Sequence, residues 1–175
     1  MSADSIAPYS PARRFLISFF GALLIWVLMT GSLSGAELGA GVVVALIVTL
    51  ITWPYLALYD SLLITPLMPL HLLHYLLLFM RSLILANFDM AARVISPNLP
   101  INPEFVTIET AIKSRLGRLL LANSITLTPG TLTVDVMANG TLLIHWIDVT
   151  PGTDMETATA EIAAEFETII RKFLR

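Results

Sequence analysis

Apolar residues run almost unbroken over positions 15–33 and again over 38–59, and only Ser34 to Glu37 part the two runs. A helix needs roughly 20 apolar residues to cross the hydrocarbon core, so the pattern predicts two membrane spans joined by a very short turn. A third apolar stretch, 62–80, has the length to span but contains Pro66, Pro69, His71 and His74. Projected on a helix over 70–95, His71, His74, Arg81, Ser82, Asp89 and Arg93 fall within an arc of about 120°, with most other positions apolar. That describes an amphipathic helix lying at the membrane surface, with Asp89 and Arg93 paired at i and i+4. A third full span is the alternative.

Past Ser96 the pattern changes period. Pro97, Pro100 and Pro103 break the chain, because each removes a backbone donor and turns its predecessor away from helix. The division is therefore a membrane region, 1–96, and a water-facing α+β domain, 97–175. Val106 and Ile108 alternate with Thr107 and Glu109 as in a strand, and 113–123 reads as a helix. Pro129 and Gly130 suit the central positions of a type II turn. Asn139-Gly140 suits a two-residue type I′ hairpin between strands 132–138 and 141–148. In that register Leu132, Val134 and Val136 share a face with Ile147, His145 and Leu143, which is taken as the core side. The opposite face, with Met137, Leu142, Ile144 and Trp146, is apolar enough to need its own cover. A last helix starts after Pro151-Gly152, with Thr153 as N-cap and Glu156 completing a capping box. Met155, Ala158, Ile162, Phe166, Ile169 and Phe173 form its buried stripe. The fold class is thus a membrane α-helical hairpin, an amphipathic surface helix and a small domain of order β-α-β-β-α.

Composition agrees with that division. Of 175 residues 56% are hydrophobic and 13% charged, with a net charge of -3, too apolar for an ordinary soluble domain. No Lys or Arg occurs from Phe15 to Met80, and Glu37 and Asp60 are the only acids there. Arg13 and Arg14 precede the first run, and Arg93, Lys113, Arg115 and Arg118 follow the third stretch. The positive-inside rule then places the N-terminus and the C-terminal domain in the cytoplasm. Because a second apolar run follows at once, the first is read as a retained span and not a cleaved signal. The acidic C-terminal third offers no basic footprint, so nucleic acid is not an expected partner. Cysteine is absent, which removes disulfides and thiol chemistry.

Candidate chemistry is sparse. An ion carrier keeps acidic, Lys or His residues inside its spans, whereas Glu37 is expected in the connecting loop and Asp60 at the end of the second span, both within reach of water. His71 and His74 have the pKa range for proton handling, but they equally suit the polar side of a surface helix. Asn123, Ser124, Thr126 and Thr128 have oxygens for a cation or phosphate, yet such side chains ordinarily satisfy helix ends and turns. His145 fits a hydrogen-bonded core histidine. No nucleophile-base pair, Gly-rich phosphate loop or metal-binding helix pattern stands out, so no enzyme activity, catalytic residue, cofactor or metal is expected.

One run carries more than its composition. Ala122-Asn123-Ser124-Ile125-Thr126-Leu127-Thr128-Pro129-Gly130-Thr131-Leu132-Thr133-Val134-Asp135-Val136 joins a helix end, a Pro-Gly turn and a strand. It resembles the E-type subunit of the Mrp-type (Mnh/Pha) multisubunit sodium/proton antiporters. The likeness extends from Trp26-Val27-Leu28-Met29-Thr30-Gly31-Ser32-Leu33 to Leu142-Leu143-Ile144-His145-Trp146, most of the chain. It departs from the family in having no basic residue between Pro54 and Met80. The resemblance implies a small accessory subunit of a cation/proton antiporter in a bacterial inner membrane. Its partners would be the bilayer and other subunits, including large polytopic ones that carry the proton pathway. Two nearly charge-free spans fit a role in assembly and stability. The rival readings are a self-sufficient oligomeric transporter, with His71, His74 and Arg81 lining a pore, and a membrane-anchored regulatory or ligand-binding domain.

Overall fold

A computed structural model describes residues 8–174 in two compact units that divide between Leu62 and Leu63.

The first unit is a helical hairpin. Helix α1 (Pro11–Thr30) opens where the Ser10 side chain accepts the Arg13 N–H, and it closes at Gly31 in the left-handed region. Helix α2 (Gly35–Ile51) is capped by Ser34, whose hydroxyl accepts the Glu37 N–H. Glu37 therefore lies in the first turn of α2, where the positive end of the helix dipole favours a carboxylate, and not in the connecting loop as expected. Gly41, Ala45 and Thr49 are the buried residues of α2. They recur every four residues and so form one stripe, across which Thr49 Oγ1 meets the buried Ser18 Oγ at 3.3 Å. A Cβ at Gly41 would stand 2.6 Å from Trp26 Cδ1, and Trp26 Nε1 donates to the Glu37 carbonyl at 3.0 Å.

The second apolar run is not one straight helix to Tyr59. It ends at Ile51, and a 3-10 segment, Trp53–Ser61, leaves at 88°. Pro54 at the start of that segment lacks an N–H and cannot continue the α-helical ladder, while Thr52 Oγ1 donates to the Val48 carbonyl. The segment brings Asp60 back to α1. Arg14 Nε and Nη2 donate to Asp60 Oδ1 and Oδ2 at 3.0 and 2.6 Å, and the Tyr9 N–H adds a bond to Oδ1 at 2.9 Å. Asp60 is thus held in an ion pair, with its side chain 16% exposed, and does not face water freely as expected at the end of the second span.

The second unit begins with a single 28-residue helix, α3 (Met68–Ile95), with Pro69 in its first turn. It continues through β1 (Glu104–Glu109), α4 (Arg115–Leu127), β2 (Thr131–Val136), β3 (Thr141–Trp146), α5 (Met155–Ile162) and α6 (Ala164–Ile170). The three strands form an antiparallel sheet of order β1-β3-β2. Its buried face consists of Val106, Ile108, Leu142 and Ile144, under Leu121, Ile125, Ala158, Phe166 and Ile170 of the helices.

The buried face is the opposite of the one expected. Leu132 and Val134 are about half exposed, whereas Leu142 and Ile144 are fully buried. Apolar residues line both sides of β3, so its own pattern is ambiguous. Pairing with β1 decides the matter, because Val106 lies opposite Ile144 and Ile108 opposite Leu142. His145 consequently lies on the outer face beside Phe105, with ring centroids 5.3 Å apart, and is not a core histidine. The register differs too. Thr133 pairs with Ile144 and Asp135 with Leu143, so Val134 is a bulge residue.

The hairpin turn is not type I′. Met137 N–H bonds the Thr141 carbonyl, Gly140 N–H bonds the Met137 carbonyl, and only Gly140 takes a positive φ. A three-residue loop with glycine in the left-handed position results. A Cβ there would lie 3.2 Å from the Thr110 carbonyl oxygen. The Pro-Gly turn agrees with its type II expectation: Gly130 has φ 102, and Thr131 N–H reaches the Thr128 carbonyl at 3.4 Å.

The last helix also starts one residue late. Asp154, not Thr153, is the N-cap, and its Oδ1 accepts the Thr157 N–H at 2.8 Å. The backbone and hydroxyl bonds from Thr157 hold the Asp154 carboxyl below its ordinary pKa. Ala163 then interrupts the helix at φ -115, which separates α5 from α6. Met155, expected in the buried stripe, is 44% exposed.

Candidate functional site

Every fourth or third residue along α3 is half buried, in the series His71, Tyr75, Phe79, Ser82, Ala86, Met90 and Arg93. These positions form one face of the helix, and that face rests on the α+β layer. Tyr75 Oη and the buried Ser124 Oγ of α4 are 2.8 Å apart. The Tyr75 ring meets Phe173 edge-on at 5.9 Å, and Phe79 meets Phe166 at 6.5 Å. Much of the rest of α3 is exposed and apolar, with Leu73, Leu77, Ile84 and Phe88 each at least half exposed, while Met68, Leu78 and Leu83 are half buried.

Near its C-terminal end α3 and the Pro-Gly turn wall a cleft of about 380 Å³. Arg93 organises it. Its Nε donates to Asp89 Oδ2 at 2.7 Å, and its Nη1 donates to Asp148 Oδ2 at 2.5 Å and to the Pro100 carbonyl at 2.7 Å. Hydrogen bonding to Asp89, then to Asp148, raises the Arg93 pKa further above its ordinary value, so the guanidinium is a fixed charge. These bonds also fasten the Pro-rich connection. There Asn102 Nδ2 donates to the Val149 carbonyl, and the Asn102 N–H bonds the Ile147 carbonyl.

Three of the four candidate residues of the motif, Ser124, Thr126 and Thr128, have their hydroxyls in hydrogen bonds. Ser124 Oγ donates to the Leu120 carbonyl, Thr128 Oγ1 to Ser124 and Thr131 Oγ1 to Ile125. Thr126 Oγ1 accepts the Thr133 N–H, while Asn123 is exposed. Their chemistry is that of a helix end stitched to a strand. His71 and His74 do not act as a pair on one face: His71 lies in the docked series and His74 is exposed. Among the described residues, His71 Nδ1 is the buried side-chain atom without a hydrogen-bond partner. No group of three or more His, Asp or Glu side chains is placed to share a metal ion among the described residues.

Two long-range anchors had no sequence signal beyond their charge. Arg118 Nε donates to the Ile112 carbonyl and Nη1 to the Ala138 carbonyl, which pins the hairpin tip. Glu167 accepts from the Thr110 hydroxyl and the Ala111 N–H, which ties α6 to the end of β1.

Two helices, α1 and α3, are long and apolar enough to cross a membrane; α2 meets that measure only together with the bent 3-10 segment. Residues 19–173 match the MNHE family, described as Na+/H+ ion antiporter subunit. The E-type subunit of a Na(+)/H(+) antiporter from Alkalihalophilus pseudofirmus is 45% identical over 41% of this chain and 46% of its own length. Its counterpart from Bacillus subtilis is 35% identical over 56% of this chain and 61% of its own. The matched region thus spans about half to three fifths of these curated relatives. A chain in the structure of the membrane-bound sulfane sulfur reductase, an archaeal respiratory membrane complex, superposes with a TM-score of 0.79 at 38% identity. That likeness covers 90% of this chain and 97% of that one. With the family match extending over nearly the whole sequence, the chain belongs to the Na+/H+ antiporter subunit family MNHE.

Proposed function

We propose that the chain is an accessory subunit of a multisubunit Na+/H+ antiporter, and that it supports assembly and stability while other subunits carry the ions. The observation that carries this reading is the absence of any Lys or Arg from Phe15 to Met80, together with the positions of the two acids there. Glu37 stands in the first turn of α2, and Asp60 is bonded to Arg14 beyond its end. The hairpin interior offers Gly41, Ala45 and a hydroxyl pair, which suit close helix packing and supply no titratable relay.

In this reading α1 and α2 cross the membrane of a bacterial cell as a pair. The 17 residues of α2 give it a length of about 26 Å, near the hydrocarbon thickness. Helix α3 lies along the cytoplasmic surface and does not cross. One face of it is docked along its length on the α+β layer, so insertion would drag Arg93, Asp148 and their bonded neighbours into hydrocarbon at high cost. Its exposed apolar face then meets lipid or a neighbouring subunit, and both termini are cytoplasmic.

A second reading has a specific support. The structural neighbour belongs to a respiratory membrane complex, so the same module can serve a larger respiratory assembly.

Deletion of this chain, followed by assay of Na+-dependent proton exchange in everted vesicles, tests the proposal. Loss of exchange and of the assembled complex, with both restored by the intact chain, is expected. Undiminished exchange and an intact complex without it would overturn the accessory role.

A further inference from the structure

The Arg93 cleft is lined by both apolar and acidic side chains. Ile125 and Phe166 in its lining are almost completely buried and Ile162 is half buried. Asp89, Asp148, Glu161 and Glu165 also line it, four carboxylates against the single guanidinium of Arg93. That guanidinium is already committed to Asp89 and Asp148. Arg81 approaches Glu165 only to 3.9 Å, with both side chains more than 60% exposed, a pairing that contributes little. Glu161 is exposed and has no salt-bridge partner among the described residues.

We infer that this cleft receives a Lys or Arg side chain from a cytoplasmic loop of a neighbouring polytopic subunit. The inference rests on the proposed cytoplasmic placement of the domain. A basic side chain combines an alkyl stem with a cationic head, and the cleft offers apolar walls for the stem and carboxylates for the head. Its volume falls in the ~300–1,000 Å³ range of clefts that enclose small groups, so it admits one or two long side chains and not a whole helix. Cytoplasmic loops of polytopic membrane proteins are the segments enriched in Lys and Arg. Charge complementarity of this kind steers association and fixes which partner docks.

The test uses the intact complex in native membranes from cells in which the variant replaces the original chain. Glu161→Cys introduces the only cysteine of the chain, and a thiol-attached photo-cross-linker there is expected to label a Lys- or Arg-bearing loop of a polytopic subunit. Glu161→Lys with Glu165→Lys is expected to reduce retention of that subunit at least roughly tenfold, because like charges across an interface are strongly unfavourable. The double Gln variant, which removes charge without reversal, should give a smaller loss that grows with added salt. Labelling confined to lipid or to a second copy of this chain would overturn the inference, as would unchanged retention of every subunit in the Lys variant at all salt concentrations. Failure of the unaltered chain to purify with any other subunit would instead sink the accessory role, and this inference with it.

Discussion

Arg14 at the start of α1 grips Asp60 in the segment that follows α2 through two parallel hydrogen bonds of 3.0 and 2.6 Å. The pair closes the open end of the hairpin, and both side chains are mostly shielded from water. Arg14→Ala leaves a shielded carboxylate without this partner, so we expect a loss on the order of 1–3 kcal/mol. It would be read as a lower melting temperature of the purified protein in mild detergent. Exchanging the two residues should recover part of the loss, whereas an unchanged melting temperature in the single variant would show the pair to be idle.

Gly41 sets the closeness of the two helices. A methyl group there meets Trp26 Cδ1 at 2.6 Å, and the ring is held by its bond to Glu37. Gly41→Ala should therefore destabilise the hairpin by roughly 1–3 kcal/mol through overpacking. Gly39→Ala, whose Cβ enters open space, should instead stabilise α2 by up to about 1 kcal/mol through helix propensity. Comparison of the two by detergent-denaturant titration separates packing from helix propensity.

Helix α3 should detach before the sheet unfolds. Tyr75→Phe removes the Ser124 contact and should cost about 0.5–1.5 kcal/mol. Phe79→Ala, which empties the space against Phe166, should cost more, up to about 3 kcal/mol, because the ring is half buried. Hydrogen exchange would show faster exchange across α3 in both variants, with the β1–β3 amides largely unaltered. Uniform acceleration across the whole unit would mean that α3 is integral to its folding.

Acid should loosen α5 first at its cap. The folded-state pKa of Asp154 is depressed, so its contribution is fully present above the unfolded value. That contribution is lost as pH falls through the folded one. The start of α5 should accordingly exchange amides faster below about pH 4, and Asp154→Ala should abolish that dependence while lowering protection at neutral pH.

How much of the fold is legible in the chain depends on the range of each interaction. The Pro129-Gly130 turn is legible, because its chemistry is complete within four residues. Asn139-Gly140 announces a hairpin, but the loop takes a third residue where Arg118 holds Ala138 from a distant helix. The buried side of β3 is not legible, since Leu142 and Leu143 are equally apolar and only the pairing with Val106 and Ile108 separates them. The polar stripe of α3 shows in its charges, yet Tyr75 and Phe79 make the docking contacts that decide which face is covered. Among the cleft residues, Asp89 and Arg93 are visible as an i, i+4 pair, whereas Asp148 lies 55 residues from Arg93, a separation that local periodicity does not reach.

The membership of this chain in a larger assembly is tested most directly by affinity purification of the tagged protein from native membranes in mild detergent, with mass spectrometry of the high-mass fraction. We expect large polytopic antiporter subunits in stoichiometric amounts. A homo-oligomer free of them would contradict the accessory role and leave transport by this chain alone as the reading to pursue.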